Sequence, residues 1–164
     1  MADAGASSMI LLVTSLLISG AASVVLLQSW GDLAEANGTN AKGKAADAET
    51  DVSFSGDRGD VLLDTSGTNQ EITLYFQNTG KRTLDKSSFT IFVDGVSSAL
   101  VGTATLYPPN GDWANGYVIE VTVSDASFNY TDNDLATVTI VAQSTVSDGV
   151  KGTDSETAEV RLSV

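Results

Sequence analysis

Few residues in this 164-residue chain are equipped for chemistry, because it contains no His and no Cys. Those absences remove the commonest general base, the commonest transition-metal ligand, thiolate nucleophiles and disulfides. Carboxylates and amides remain. Asp132 and Asp134, in NYTDNDLA, carry hard oxygens of the kind that bind Ca2+, but the Gly and distal Glu of a calcium loop are missing. Asp and Asn at this density make turns by bonding their own backbone, and no metal is assigned. No nucleophile elbow or phosphate-binding Gly loop occurs. An enzyme would have to work with carboxylates alone, as glycoside hydrolases do, and a domain of this size offers little cleft for that. The expectation is a non-enzymatic protein with no catalytic residues, no cofactor and no small-molecule substrate. Two triplets, Asn37-Gly38-Thr39 and Asn129-Tyr130-Thr131, fit N-glycosylation acceptors if the domain is exported.

The elements that carry these residues divide the chain. Met9–Leu27, MILLVTSLLISGAASVVLL, has no charge and no Pro. At 1.5 Å per residue it spans roughly 28 Å, close to the hydrocarbon thickness of a bilayer. Trp30 follows at a position suited to the interface. Ser15, Ser19 and Ser23 recur every four residues, with Gly20 and Ala22 beside them, which lines small side chains along one helical face where backbones can pack closely. Three-to-four spacing extends the helix to about residue 36. The next stretch, NGTNAKGKAADAE, is small and polar and reads as a flexible linker over 37–49. Lys42 and Lys44 lie on this side of the helix and the N-terminal flank carries no Lys or Arg, against the positive-inside rule for an exported domain. The sequons and the β-pattern point to the outside.

From residue 50 the period changes to two. Strands are expected at 71–77, 89–93, 117–123, 136–142 and 158–164, with weaker ones at 51–54, 61–64 and 99–107, and turns at Asp94-Gly95 and across the 108–112 loop. Seven or eight short strands imply a mainly β fold, an immunoglobulin-like antiparallel sandwich over 50–164, behind the helix of 1–36. The net charge is −13, with 8 basic against 21 acidic side chains. Such a surface repels nucleic acid and stays hydrated in salt.

The layout of apolar helix, short hinge and β-domain resembles the archaeal motility filament (archaellum) group, which includes archaellins, the accessory flagellar proteins F and G, and type IV pilin-like subunits. Ile72–Gly95, ITLYFQNTGKRTLDKSSFTIFVDG, carries the closest likeness. Its strand runs into Asn78-Thr79-Gly80, and its second strand ends in Asp94-Gly95, which is similar to the core of the F and G proteins. Physically, Gly80 is expected to supply a positive φ and Asn78 to bond its own backbone. Pilin-type subunits have a basic leader ending at a Gly; Gly5-Ala6 has no Lys or Arg before it, so the uncleaved accessory proteins are the better match. The resemblance implies a membrane-anchored stator or accessory protein. Its partners would be other archaellum subunits, copies of itself and the surface layer. The chain would sit at the cell membrane with the β-domain outside, or in an extracellular filament. The alternatives are a filament subunit with helices bundled in the core, and a membrane-tethered surface-binding module.

Overall fold

A computed structural model describes residues 3–164. One helix and ten strands follow each other: α1 (Asp3–Glu49), β1 (Val52–Phe54), β2 (Val61–Asp64), β3 (Glu71–Asn78), β4 (Leu84–Val93), β5 (Val96–Ser97), β6 (Ala99–Leu100), β7 (Thr105–Tyr107), β8 (Val118–Ser124), β9 (Leu135–Ser144) and β10 (Thr153–Ser163). The chain divides into two compact units, one ending at Lys42 and one from Gly43 onward.

In the first unit α1 is bare. Leu11, Leu17 and Leu27 are 70%, 68% and 73% exposed, and Trp30 is exposed as well. Through Met9–Leu27 the helix carries no charged side chain, and its polar groups are only the hydroxyls of Thr14, Ser15, Ser19 and Ser23. It also continues through 37–49, where a linker was expected. Asn37, Gly38, Asn40 and Gly43 are poor helix formers, but Ala41, Lys42, Lys44, Ala45, Ala46 and Ala48 are strong ones. The end of this stretch also gains tertiary partners, which local composition cannot show.

The second unit is mostly sheet. β5, β4, β9 and β10 form one antiparallel block; β2, β3, β8 and β6 form another, with β1 on β3 and β7 on β8. The blocks join where β10 runs parallel to β2, pairing Leu162 with Val61 and Ser163 with Leu62. That pair departs from the wholly antiparallel expectation. Alternation sets the core: on β3 Ile72, Leu74 and Phe76 are buried, on β8 Ile119, Val121 and Val123, on β9 Ala136, Val138, Ile140 and Ala142, and on β10 Ala158, Val160 and Leu162. All belong to one cluster fed by both blocks, as a period of two requires when one face of each block is buried.

Most strand expectations hold to within a residue or two, with four differences. β10 begins at Thr153 rather than Ala158, because Thr153 to Thr157 pair with Gln143 to Thr139 while showing no apolar alternation. β4 begins at Leu84 rather than Phe89, because Leu84 pairs with Ser144 and the register then slips before Phe89. Asp85-Lys86-Ser87-Ser88 lie between them, with no apolar alternation to betray a strand. The 99–107 segment is two short strands, both on β8. β5, two exposed residues, carries no burial pattern at all.

Candidate functional site: an apolar helix and a latched helix end

Each residue of the small stripe is on the open surface of α1. The Ser15 hydroxyl donates to Leu12 O at 3.0 Å and the Ser23 hydroxyl to Ser19 O at 2.9 Å. Both hydroxyls are satisfied inside their own helix. A Cβ on Gly20 would meet nothing within 4 Å. The helix is long and apolar enough to cross a membrane by length and composition.

At the other end of α1, within the second unit, the chain builds a socket. Ala46 and Thr50 are 2% and 3% exposed. The Thr50 hydroxyl donates to Ala46 O at 2.7 Å. The last helical turn has no basic side chain, and Asp47 and Glu49 face the helix dipole the wrong way. Its terminal carbonyls, which have no partner inside the helix, are met from the 79–82 turn. Lys81 N and Arg82 N donate to Glu49 O at 2.8 and 3.1 Å, and Thr79 N and Gly80 N donate to Asp51 O at 3.1 and 3.0 Å. Across the socket Thr153 N donates to Asp47 Oδ1 at 2.9 Å, and Val52 N to Asp154 Oδ2 at 2.9 Å.

Two glycines make this approach possible. A Cβ on Gly80 would lie 2.5 Å from Asp51 N and 2.6 Å from Glu49 O. A Cβ on Gly152 would overlap the Thr50 hydroxyl and the Ala46 carbonyl. Gly80 is not in the positive-φ region, which corrects the expectation from sequence: the position needs glycine for space, not for handedness. Asn78 organises the turn from beneath. It is fully buried; its amide donates to Arg82 O at 2.8 Å and Trp113 O at 2.7 Å, and its Oδ1 accepts from Gly80 N at 3.0 Å. Thr79 takes part only through its backbone: its N donates to Asp51 O, and its O accepts from the Asn115 amide at 3.3 Å.

Asp94-Gly95 lies elsewhere, as the turn between β4 and β5, with φ of 49° and 80°. Asp94 accepts from Thr137 N at 2.7 Å and from the Tyr130 hydroxyl at 2.6 Å. Burial, then the hydrogen bond to Asp94, pushes the Tyr130 phenol well above its ordinary range. Asp134 accepts from Thr131 N and its hydroxyl at 2.6 and 2.9 Å, which hold its carboxyl below the usual range. Asp132 accepts from the Asn133 amide at 2.7 Å. Among the described residues no cluster of three or more His, Cys, Asp or Glu is disposed to hold a metal. The sequon residues Asn37 and Asn129 are both exposed, the first on α1 and the second in the 125–134 loop.

Sequence reasoning found Asn78 and Gly80 but missed Gly152, Ser144 and Trp113. Ser144 is fully buried and its hydroxyl accepts from Gly152 N at 2.8 Å. Trp113 is fully buried; its indole N–H donates to Tyr117 O at 3.0 Å and its ring meets Phe89 edge-on. A Trp directly after a Pro-Pro-Asn-Gly-Asp loop was the available signal for the last. Nothing in the sequence distinguishes Gly152 from any loop glycine.

A family described as archaeal-type flagellin matches residues 2–163. No protein of curated function matches. Among solved structures, the crystal structure of AggA, the major subunit of aggregative adherence fimbriae type I from Escherichia coli, is similar over 70% of this chain and 93% of its own length. Its identity is 10% and its TM-score 0.29, too low to carry an argument.

Proposed function

This chain belongs to the archaeal-type flagellin family, and from that premise we propose that it is a membrane-anchored accessory or stator protein of the archaellum. The family is one of structural, non-enzymatic components of the archaellum, whose members assemble with each other or with other archaellum subunits outside the cell. The finer reading is supported by one observation. The segment most similar to the F and G accessory proteins, Ile72–Gly95, contains the Asn78-Gly80 turn that grips the helix end. A part that resists torque needs its head tied to its anchor, and that segment supplies the tie. The bare apolar helix needs cover: burying each large aliphatic side chain is worth about 1.5–3 kcal/mol, so lipid or other helices must surround it. Ser15, Ser19, Gly20, Ala22 and Ser23 form the face for close helix packing, Trp30 sits at the interface, and the β-domain faces outward toward the surface layer, with Asn37 on α1 and Asn129 on the β-domain both open to glycosylation.

The filament-subunit reading is favoured by a different observation, the match of a flagellin family over nearly the whole chain. Shearing separates the two. Filaments sheared from cells should carry little of this protein, which should stay with the cell bodies, and its deletion should abolish swimming. Sheared filaments built mainly of this chain would replace the stator reading with the filament one. Swimming by cells that lack it would end both. Replacing Ser19 and Ser23 by Leu should weaken crosslinked assemblies while leaving membrane insertion intact, since Leu keeps hydrophobicity but holds backbones apart.

A further inference from the structure

The helix end is buried, yet it lies outside the core. Ala46 and Thr50 are buried but neither belongs to the hydrophobic cluster that binds the two sheet blocks. What holds residues 46–51 is a short set of hydrogen bonds to two other segments: the 79–82 turn, through Glu49 O and Asp51 O, and Thr153 N, through Asp47 Oδ1. All three segments sit where strands start or stop, before β1, after β3 and at the start of β10. Their separation therefore breaks no ladder within the core. The fit is close on both sides, because Gly80 and Gly152 admit the helix backbone only while they lack a side chain.

We infer that residues 46–51, the 79–82 turn and the Gly152-Thr153 step form a latch that opens as one unit while the strands stay paired, turning 43–51 into a hinge of the head. Closed, the helix end is an integral part of the β-domain. Open, it is a tether. The inference goes beyond the choice between stator and filament subunit, and holds for either. Segments with few buried apolar contacts open locally at lower cost than the whole fold, and this one contributes only Ala46 and Thr50 to the interior.

Native-state hydrogen exchange of the full chain in detergent micelles tests it. The amides of Thr79, Gly80, Lys81, Arg82 and Thr153, which donate across the latch, should exchange through one common opening, at least about tenfold faster than those of Leu74, Val121, Ile140 and Val160. Gly152→Ala should speed only the first set, by about a further tenfold. Asp47→Ala removes only the exposed carboxylate that accepts from Thr153 N across the latch, and should speed the same set severalfold; it decides the matter if the glycine variant does not fold. Exchange of the five amides at the rate of the strands, or at five unrelated rates, would overturn the latch. So would a variant that speeds latch and strands equally.

Discussion

Two turns in this β-domain look alike in sequence and are built on opposite grounds. Asn78-Thr79-Gly80 and Asp94-Gly95 both end a strand with an Asx residue and a glycine nearby. At Asp94-Gly95 both residues have positive φ, and a Cβ on Gly95 would touch nothing within 4 Å. That glycine is there for backbone handedness. At Gly80 the φ is unexceptional and the space is not, since backbone from Glu49 to Asp51 passes where a Cβ would be. The Asx residues differ in the same way. Asn78 is buried and spends its whole amide on three backbone groups. Asp94 is exposed and ties the turn to Thr137 and Tyr130 at the surface. A turn motif alone therefore does not say whether its glycine is needed for torsion or for contact.

The contrast breaks most visibly at the Asx positions. Asn78→Ala should destabilise the domain by about 2–4 kcal/mol, because three buried hydrogen bonds go and Arg82 O is left without its partner, while Gly80 N keeps Asp51 O and Trp113 O keeps Leu84 N. Asp94→Ala should cost only about 1 kcal/mol, since its partners can turn to water. Urea unfolding of a fragment beginning at Gly43 measures both, and equal losses would erase the distinction. The glycines should separate by a smaller margin and by a qualitative rule. Gly80→Ala should cost about 2–3 kcal/mol through overlap with the helix end, and Gly80→Asn should be no better. Gly95→Ala should cost about 1 kcal/mol from its left-handed backbone, and Gly95→Asn should recover most of it, because Asn tolerates that region. Rescue of Gly80 by Asn would show that torsion, not contact, governs there.

What could be read from the chain alone follows the same division between local and distant causes. Ile72, Leu74 and Phe76 alternate, and their strand was legible because burial on one face imposes a period of two. The Asp94-Gly95 turn was legible because positive φ selects residue type locally. The role of Gly80 was not, since the atoms that require it belong to Glu49, Thr50 and Asp51, some thirty positions away. For the same reason the 37–49 segment reads as a linker: its composition is weakly helical, and Gly152, Thr153 and the 79–82 turn, which hold its last turn, come much later in the sequence. The fold class and family layout are stored in patterns, whereas the latch is stored in three segments that meet only once the sheet has formed.

The two turns also differ in their response to pH. The Tyr130 hydroxyl donates to Asp94 at 2.6 Å, and burial followed by this bond raises its ionisation above the ordinary tyrosine range, with the Asp94 and Asp134 charges adding to the shift. A phenol whose folded pKa lies above the unfolded value of about 10 contributes stability that is complete below that pH. The contribution is lost as pH climbs toward the folded value, because the unfolded chain gives up the proton first. The site is partly open to solvent, so the net effect is modest, below about 1 kcal/mol. Tyr130→Phe should therefore unfold slightly earlier than the parent at pH 8, and the gap should narrow when both are measured at pH 10.5. The Asn78 turn is held by an amide and backbone groups, none of which titrates in this range. The penalty of Asn78→Ala should accordingly be the same at both pH values, and a penalty that shrank with the Tyr130 gap would mean that the two turns do not act independently.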